Sequence, residues 1–228
     1  MPFDDGAAPN PYWGVCTLVV CKPGIRRTAA VGDWVVGTGS KHARLGDGST
    51  RDLSGRVIYA MKVTGKMTMK EYDSFTSIEL PQKVPDWGHR DRRRRLGDSL
   101  YAFIGSKAKQ RRGVHGSANV ATDLSGKNAL LSNHFFYFGE SAIRLPAQLR
   151  PIAQNWQGHR VTLNKSYVAA FVGWIGGLGH QPGAVLGKPL LDLFCDKAAG
   201  TWCAGCRAEE DEQDREQVRG THDRRAMP

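Results

Sequence analysis

The chain lacks any apolar run long enough to cross a membrane, and residues 1–5 have neither the basic nor the apolar region of a signal peptide. Cysteine is also scarce, with five residues in 228, an odd number. Secreted disulfide scaffolds use cysteine at higher density and usually in even numbers. These absences predict a cytoplasmic protein with no membrane partner.

Two nucleotide-binding signatures are missing as well. No Gly-Lys-Ser/Thr ending completes a phosphate loop, and no alternation of strand, glycine loop and helix indicates a dinucleotide-binding fold. The sequence therefore identifies no cofactor.

A metal site is only weakly indicated. Cys203 and Cys206 form a C-x-x-C pair, with Cys195 eight residues upstream, so a zinc knuckle is conceivable. A single pair without a second pair at standard spacing is weak evidence, and we predict no metal site.

Charge is abundant and unevenly distributed. Lys and Arg total 32 against 22 acidic residues, a net charge of +10. Residues 201–228 are net acidic, so residues 1–200 carry 27 basic and 15 acidic side chains, a net charge of +12. A body this basic attracts polyanions by releasing their counterions, which makes nucleic acid the first partner to consider.

The segment from residue 15 to residue 40 predicts two strands around a basic turn. Val15–Val20 and Trp34–Gly37 are short β-branched or aromatic runs, and Pro23-Gly24 breaks the first. The Gly37-Thr-Gly-Ser40 loop then offers backbone amides and glycine freedom to an anionic ligand. The alternative is an ordinary hairpin with a solvated basic turn. The predicted nucleotide-binding residues are Lys22, Arg26, Arg27, Asp33, Trp34, Thr38, Gly39, Ser40 and Trp87.

Other segments define the fold class. Residues 56–66 and 129–139 are predicted strands, Thr68 and Glu71 form a capping box opening a short helix, and residues 166–175 have helical spacing. Many short strands with few helices predict an α+β fold around a small, mainly antiparallel β-barrel. We expect one domain over residues 1–200 and a charged, disordered tail over 201–228.

Several of these motifs together resemble the nucleotide modification associated domain 2 family. They are Cys16-Thr-Leu, Cys21-Lys-Pro-x-Ile-Arg-Arg27, Gly32-Asp-Trp-Val-Val-Gly-Thr-Gly-Ser40, Gly97-Asp-Ser-Leu-Tyr101 and Phe136-Tyr-Phe-Gly139. The resemblance covers roughly residues 12 to 190. It implies a role in DNA base hypermodification systems of phages and bacteria.

The order of strand, glycine loop, strand and capped helix also resembles pseudouridine-synthase-and-archaeosine-transglycosylase-like (PUA-like) barrels, including the EVE and YTH types. That resemblance implies a modified base held in an aromatic-lined pocket beside a basic groove. Trp34, Tyr59, Trp87 and Tyr101 are the candidate aromatic residues, with Trp87 the best placed for exposure and the tyrosines more typical of core.

Two basic runs are the candidates for contact with a nucleic-acid backbone, which would position the ligand without reading its sequence. A solvated loop is the alternative interpretation. The residues are Arg92, Arg93, Arg94, Arg95, Lys107, Lys109, Arg111 and Arg112.

Three functions stay open from the sequence: a reader of a modified base or nucleotide, an enzyme acting on one, and a general basic DNA-binding protein. An enzyme could use Asp33 or Asp98 as general base. His115 and His134 could join Asp98, although no spacing ties them together. Cys16 and Cys21 are expected to be inert core residues.

Overall fold

The fold is taken from a computed structural model, which describes residues 1, 3–153, 158–191 and 193. The expected tail and the three cysteines of the conceivable zinc knuckle lie outside the described residues. No helix in the described part of the chain is long and apolar enough to span a membrane.

The described part of the chain consists of short strands with short helices between groups of them. The strands are β1 (Cys16–Leu18), β2 (Trp34–Thr38), β3 (Ala43–Arg44), β4 (Thr50–Arg51), β5 (Arg56–Lys62), β6 (Gly65–Thr68), β7 (Tyr101–Ile104), β8 (Lys107–Gln110), β9 (Asn128–Ser132), β10 (His134–Tyr137), β11 (Ile143–Arg144) and β12 (Ala184–Val185). The α-helices are α1 (Pro23–Thr28), α2 (Met69–Ile78), α3 (Arg92–Arg95), α4 (Val120–Ser125) and α5 (Val168–Gly176). Turns of 3₁₀ helix lie at Pro81–Lys83, Ser117–Asn119, Gly139–Ser141, Ala147–Ile152 and Thr162–Tyr167.

Antiparallel pairing dominates the sheets. One sheet has the order β1-β9-β6, and the largest has the order β11-β5-β10-β12 with β2 also paired to β5. Within these sheets only β10 and β12 run parallel. Two hairpins, β3-β4 and β7-β8, stand apart from them.

The α+β expectation is confirmed at the level of mixed helices and antiparallel sheets, but the barrel is not. The described strands form separate open sheets and close no barrel, so the PUA-like prediction is not confirmed.

The predicted hairpin of the first two strands is also corrected. The strand β1 pairs with β9, whereas β2 pairs with β5 in another sheet. Pro23-Gly24 begins α1 instead of making a tight turn, because proline suits the first position of a helix. A helix therefore connects two sheets where the sequence suggested a turn within one.

The capped helix is confirmed. Thr68 Oγ1 accepts a hydrogen bond from the Glu71 amide, while the Glu71 carboxylate accepts one from the Thr68 amide. This reciprocal pair satisfies two amides that the first helical turn leaves open. The helix α2 packs its Met69 and Tyr72 beneath β7, in the apolar cluster that also holds Leu100 and Tyr101.

Candidate functional site

Arg26, the first predicted phosphate ligand, is fully buried. Its Nε donates to the Cys21 carbonyl at 2.7 Å, and its terminal nitrogens donate to the carbonyls of Asn128 and Asp123. Backbone oxygens from three segments thus take up its guanidinium. In this position Arg26 fastens α1 to α4 and β9 and does not face a ligand.

Gly126 makes room for this arginine. A Cβ atom at position 126 would lie 2.2 Å from Arg26 Cζ, closer than any side chain tolerates. The glycine is therefore required by the packing of the guanidinium.

The rest of the predicted basic turn stays near the surface. Arg27 is exposed and donates to the Ser125 carbonyl at 3.2 Å. Lys22 is half-buried, at a left-handed backbone position with φ 44°. Lys22 and Arg27 both remain predicted nucleotide contacts, and the structure places Arg27 beside α4.

Asp33 and Trp34 have local roles. Asp33 accepts a hydrogen bond from the Ala30 amide at 2.9 Å, the contact expected of a turn aspartate. Trp34 is half-buried, with its ring edge-on to His134 at 5.3 Å and to Phe171 at 5.9 Å between centroids. The turn contact of Asp33 does not favour a general-base role for this residue.

The Gly37 to Ser40 segment is packed into the fold. The Gly39 amide donates to the Arg56 carbonyl at 2.9 Å, and the Ser40 amide donates to the Met1 carbonyl at 3.1 Å. A Cβ at Gly37 would lie 2.1 Å from the Tyr59 ring. Close approach by Tyr59, and not positive φ, therefore explains this glycine, and the segment contacts different neighbours from Arg26 and Arg27.

The arginine run forms the short helix α3. Asp91 caps it by accepting from the Arg93 amide at 2.9 Å and pairs with the Arg93 guanidinium at 2.7 Å. Arg94 donates to the Pro81 carbonyl and Arg95 to the His89 carbonyl, at 2.9 and 2.8 Å. Arg92 and Arg93 are exposed.

The second basic run begins on β8 and continues just past it, and one contact joins it to the loop that precedes α3. Arg112 Cζ sits 4.6 Å above the centroid of the Trp87 ring, a cation–π contact between the two segments. Lys107 and Lys109 are exposed on β8. Arg111 differs, because its guanidinium is paired with Asp73 at 2.6 Å.

A cleft missed by the sequence reasoning lies beside α3. It has a volume of about 470 Å³ and is lined by Trp13, Pro81, Gln82, His89, Asp91 and Arg94. Arg93 lies over one face of the Trp13 ring, at 4.9 Å from Cζ to centroid. Trp13 Nε1 and Gln82 Oε1 have no hydrogen-bond partner among the residues the structure describes. Only tertiary structure brings Trp13 to the arginine run, so no local signal could have shown it.

A buried cluster of hydrogen-bonded polar side chains surrounds Asp98. Asp98 accepts hydrogen bonds from the Thr17 and Tyr72 hydroxyls at 2.5 and 2.7 Å, and burial raises the pKa of its carboxyl. Lys83 Nζ donates to Thr17 Oγ1 and to the Asn10 carbonyl, both at 2.8 Å. Burial lowers the pKa of Lys83 to about 8. All of these groups are enclosed, so Asp98 does not face the cleft as a general base would.

A second buried cluster joins a cysteine, a histidine and an aspartate. Cys21 Sγ lies 3.2 Å from His115 Nε2, and His115 Nδ1 lies 2.6 Å from Asp123 Oδ2. The Tyr101 hydroxyl donates to the same carboxylate oxygen at 2.8 Å. The suggested grouping of His115 with Asp98 and His134 does not occur: Asp98 lies with Thr17 and Tyr72, and His134 lies against Trp34. Cys21 and Asp123 are 102 residues apart in the sequence, so no local pattern indicates that they are in contact.

One comparison with known proteins gives a match. No curated protein and no solved structure matches the chain. The family model described as nucleotide modification associated domain 2 matches residues 1–196, which is most of the chain and includes every residue that the structure describes. The protein therefore belongs to the nucleotide modification associated domain 2 family.

Proposed function

We propose that the protein binds nucleic acid, with DNA as the first candidate, and recognises a base or nucleotide within a nucleotide-modification system. The contact between Arg112 and Trp87 carries this proposal, because it brings the end of the second basic run against the loop that precedes the arginine helix α3. Membership of a family associated with nucleotide modification supports the same ligand class.

Phosphates would lie along the surface of these two basic segments. Arg92, Lys107 and Lys109 are exposed cations on it, and such cations bind phosphates without reading sequence. Arg94 and Arg95 are bonded to backbone carbonyls and shape the loop instead.

A base would occupy the cleft beside α3. Its volume of about 470 Å³ is within the usual size of small-ligand sites, and Trp13, Gln82 and His89 give it stacking and hydrogen-bonding groups. Arg93, already stacked on Trp13, adds positive charge at its edge.

The test is the salt dependence of DNA binding in two double variants. Lys107→Ser with Lys109→Ser removes two exposed cations from the proposed surface, and Lys41→Ser with Arg51→Ser removes two exposed cations from the region of the β3-β4 hairpin. For duplex DNA each lost phosphate contact reduces the slope of log K against log salt by about 0.9, so we expect the first pair to lose about 2 and the control pair close to none. Fluorescence anisotropy over a salt series measures this.

Equal slopes in the two double variants would refute the proposed surface. Trp13→Ala tests the cleft separately: loss of one base stack should weaken single-strand binding by about 1–3 kcal/mol while leaving the salt slope unchanged.

A further inference from the structure

The cluster of Cys21, His115 and Asp123 has the connectivity of a nucleophile, its base and the group that orients the base. The thiol sulfur is 3.2 Å from the near nitrogen of the imidazole, and the far nitrogen is 2.6 Å from the carboxylate. Nucleophile and base within hydrogen-bond reach, with the base held by a third group, is the geometric signature of covalent catalysis by cysteine or serine.

The carboxylate of Asp123 determines which nitrogen of His115 faces the thiol as an acceptor. An ionised carboxylate only accepts hydrogen bonds, so Nδ1 of His115 carries the proton donated to it. In neutral imidazole the other nitrogen, Nε2, is then the acceptor, and it lies 3.2 Å from Cys21 Sγ. The thiol proton therefore has an acceptor in place.

The same carboxylate also positions the cysteine. Asp123 Oδ1 accepts a hydrogen bond from the Cys21 amide at 2.9 Å, and Arg26 donates to the carbonyl of each of these two residues. Cys21 adopts a left-handed backbone conformation with φ 56° at the entrance to α1. Three segments thus hold the sulfur against the imidazole.

The other cysteine of this region is unlike Cys21. Cys16 has its sulfur 4.0 Å from Met61 Sδ, and burial raises the pKa of its thiol to about 12. Cys21 retains 7% of its surface exposed, against 1% for Cys16. Among the described residues, Arg26, Tyr59, Tyr101 and Asp123 are charged or titratable groups that face Cys21 or His115.

We infer that Cys21 is a catalytic nucleophile, with His115 as its general base and Asp123 as the positioning residue, for transfer of an acyl group from an ester or amide substrate. The Sγ–C bond forms as the thiol proton passes to His115 Nε2, and the alkoxide or amine leaves with that proton. Water then cleaves the thioester, giving its proton to His115, and restores the thiol. This inference does not depend on nucleic-acid binding.

A small activated ester tests the inference on the full-length protein. With p-nitrophenyl acetate we expect a burst of p-nitrophenol and one acetyl group on the Cys21 peptide by mass spectrometry. His115→Gln should slow acetylation of Cys21 on the order of 10²-fold, the usual contribution of a general base. Cys16 in the same chain is the internal control and should stay unmodified. Absence of acetyl from Cys21, or equal acetylation in the variant, would overturn the inference.

Alkylation by iodoacetamide distinguishes a catalytic role from a structural one without any substrate. At pH 6.5 Cys21 of the native protein should react about tenfold faster than Cys21 of His115→Gln or of the urea-unfolded chain, because imidazole favours the thiolate. Asp123→Asn should move the midpoint of the pH–rate profile of Cys21 to higher pH. If the contact of Asp123 were merely structural, the variant would have a lower melting temperature and an unchanged profile. Identical rates in the native and unfolded chains would refute an activated thiol.

Discussion

The most informative single residue is Arg26, because its environment differs so much from the one its sequence suggests. Next to Arg27 in a basic turn, it has the appearance of a phosphate ligand. In the fold it is fully buried and its donors point at the carbonyls of Cys21, Asp123 and Asn128. Two adjacent arginines thus have opposite roles, one internal and one external.

Arg26→Ala should therefore destabilise the protein strongly. The variant removes a donor from three carbonyl oxygens and opens a cavity against Gly126, for a loss of about 3–5 kcal/mol. Arg27→Ala is the matched control and should change the unfolding free energy by less than about 0.5 kcal/mol, as exposed positions usually do. Urea unfolding followed by circular dichroism measures both; equal losses would contradict the assignment.

At the scale of elements, local patterns were reliable where local forces decide. The capping box at Thr68 and Glu71 predicted the start of α2, because two hydrogen bonds within four residues are enough to define it. The strand β2 likewise matches its predicted run. The runs 56–66 and 129–139 contain strands as predicted, but each divides into two strands that belong to different sheets, β5 with β6 and β9 with β10.

Pairings between elements were less predictable, since they depend on residues far apart. The Pro23-Gly24 dipeptide suits either a tight turn or a helix start, and only the packing of Arg26 into the fold selects the helix. The same limit hid both the cleft, which needs Trp13 beside α3, and the contact of Cys21 with His115.

Thr68→Ala should weaken α2 by about 1 kcal/mol, the typical value of an N-cap. The variant loses the acceptor for the Glu71 amide. Ser74→Ala, on an exposed position of the same helix, is the control and should be neutral or slightly stabilising, because alanine has the higher helix propensity. Thermal unfolding compares the two, and a Thr68→Ala protein as stable as the wild type would show that the cap contributes little.

At the scale of the whole molecule, stability should depend on a buried acid near the start of the chain. Asp4 accepts a hydrogen bond from the Tyr137 hydroxyl at 2.6 Å, and its backbone carbonyl accepts one from the Leu191 amide. Burial raises the pKa of the Asp4 carboxyl to about 7. Asp4 thereby links both ends of the described fold to β10.

The sign of the pH effect follows from this raised pKa. Between about pH 4 and pH 7 the folded state keeps a proton that the unfolded state has released, so stability falls as pH rises. The contribution of Asp4 to this fall is roughly 3 kcal/mol. Asp4→Asn should remove it and be more stable than the wild type at pH 7, whereas Asp47→Asn, in an exposed turn, should keep the wild-type slope. Urea titrations at both pH values decide; parallel pH profiles for Asp4→Asn and the wild type would disprove the effect.

The acceptors of Arg26 have a consequence for how the protein is made. Two of them, the carbonyls of Asp123 and Asn128, lie 97 and 102 residues further along the chain. During synthesis the first half of the protein leaves the ribosome with this guanidinium still in water. The helix α1 cannot pack against α4 and β9 until those two elements have emerged. Assembly of the Cys21 centre is thus a late event, which keeps a reactive thiol arrangement from forming on an incomplete chain.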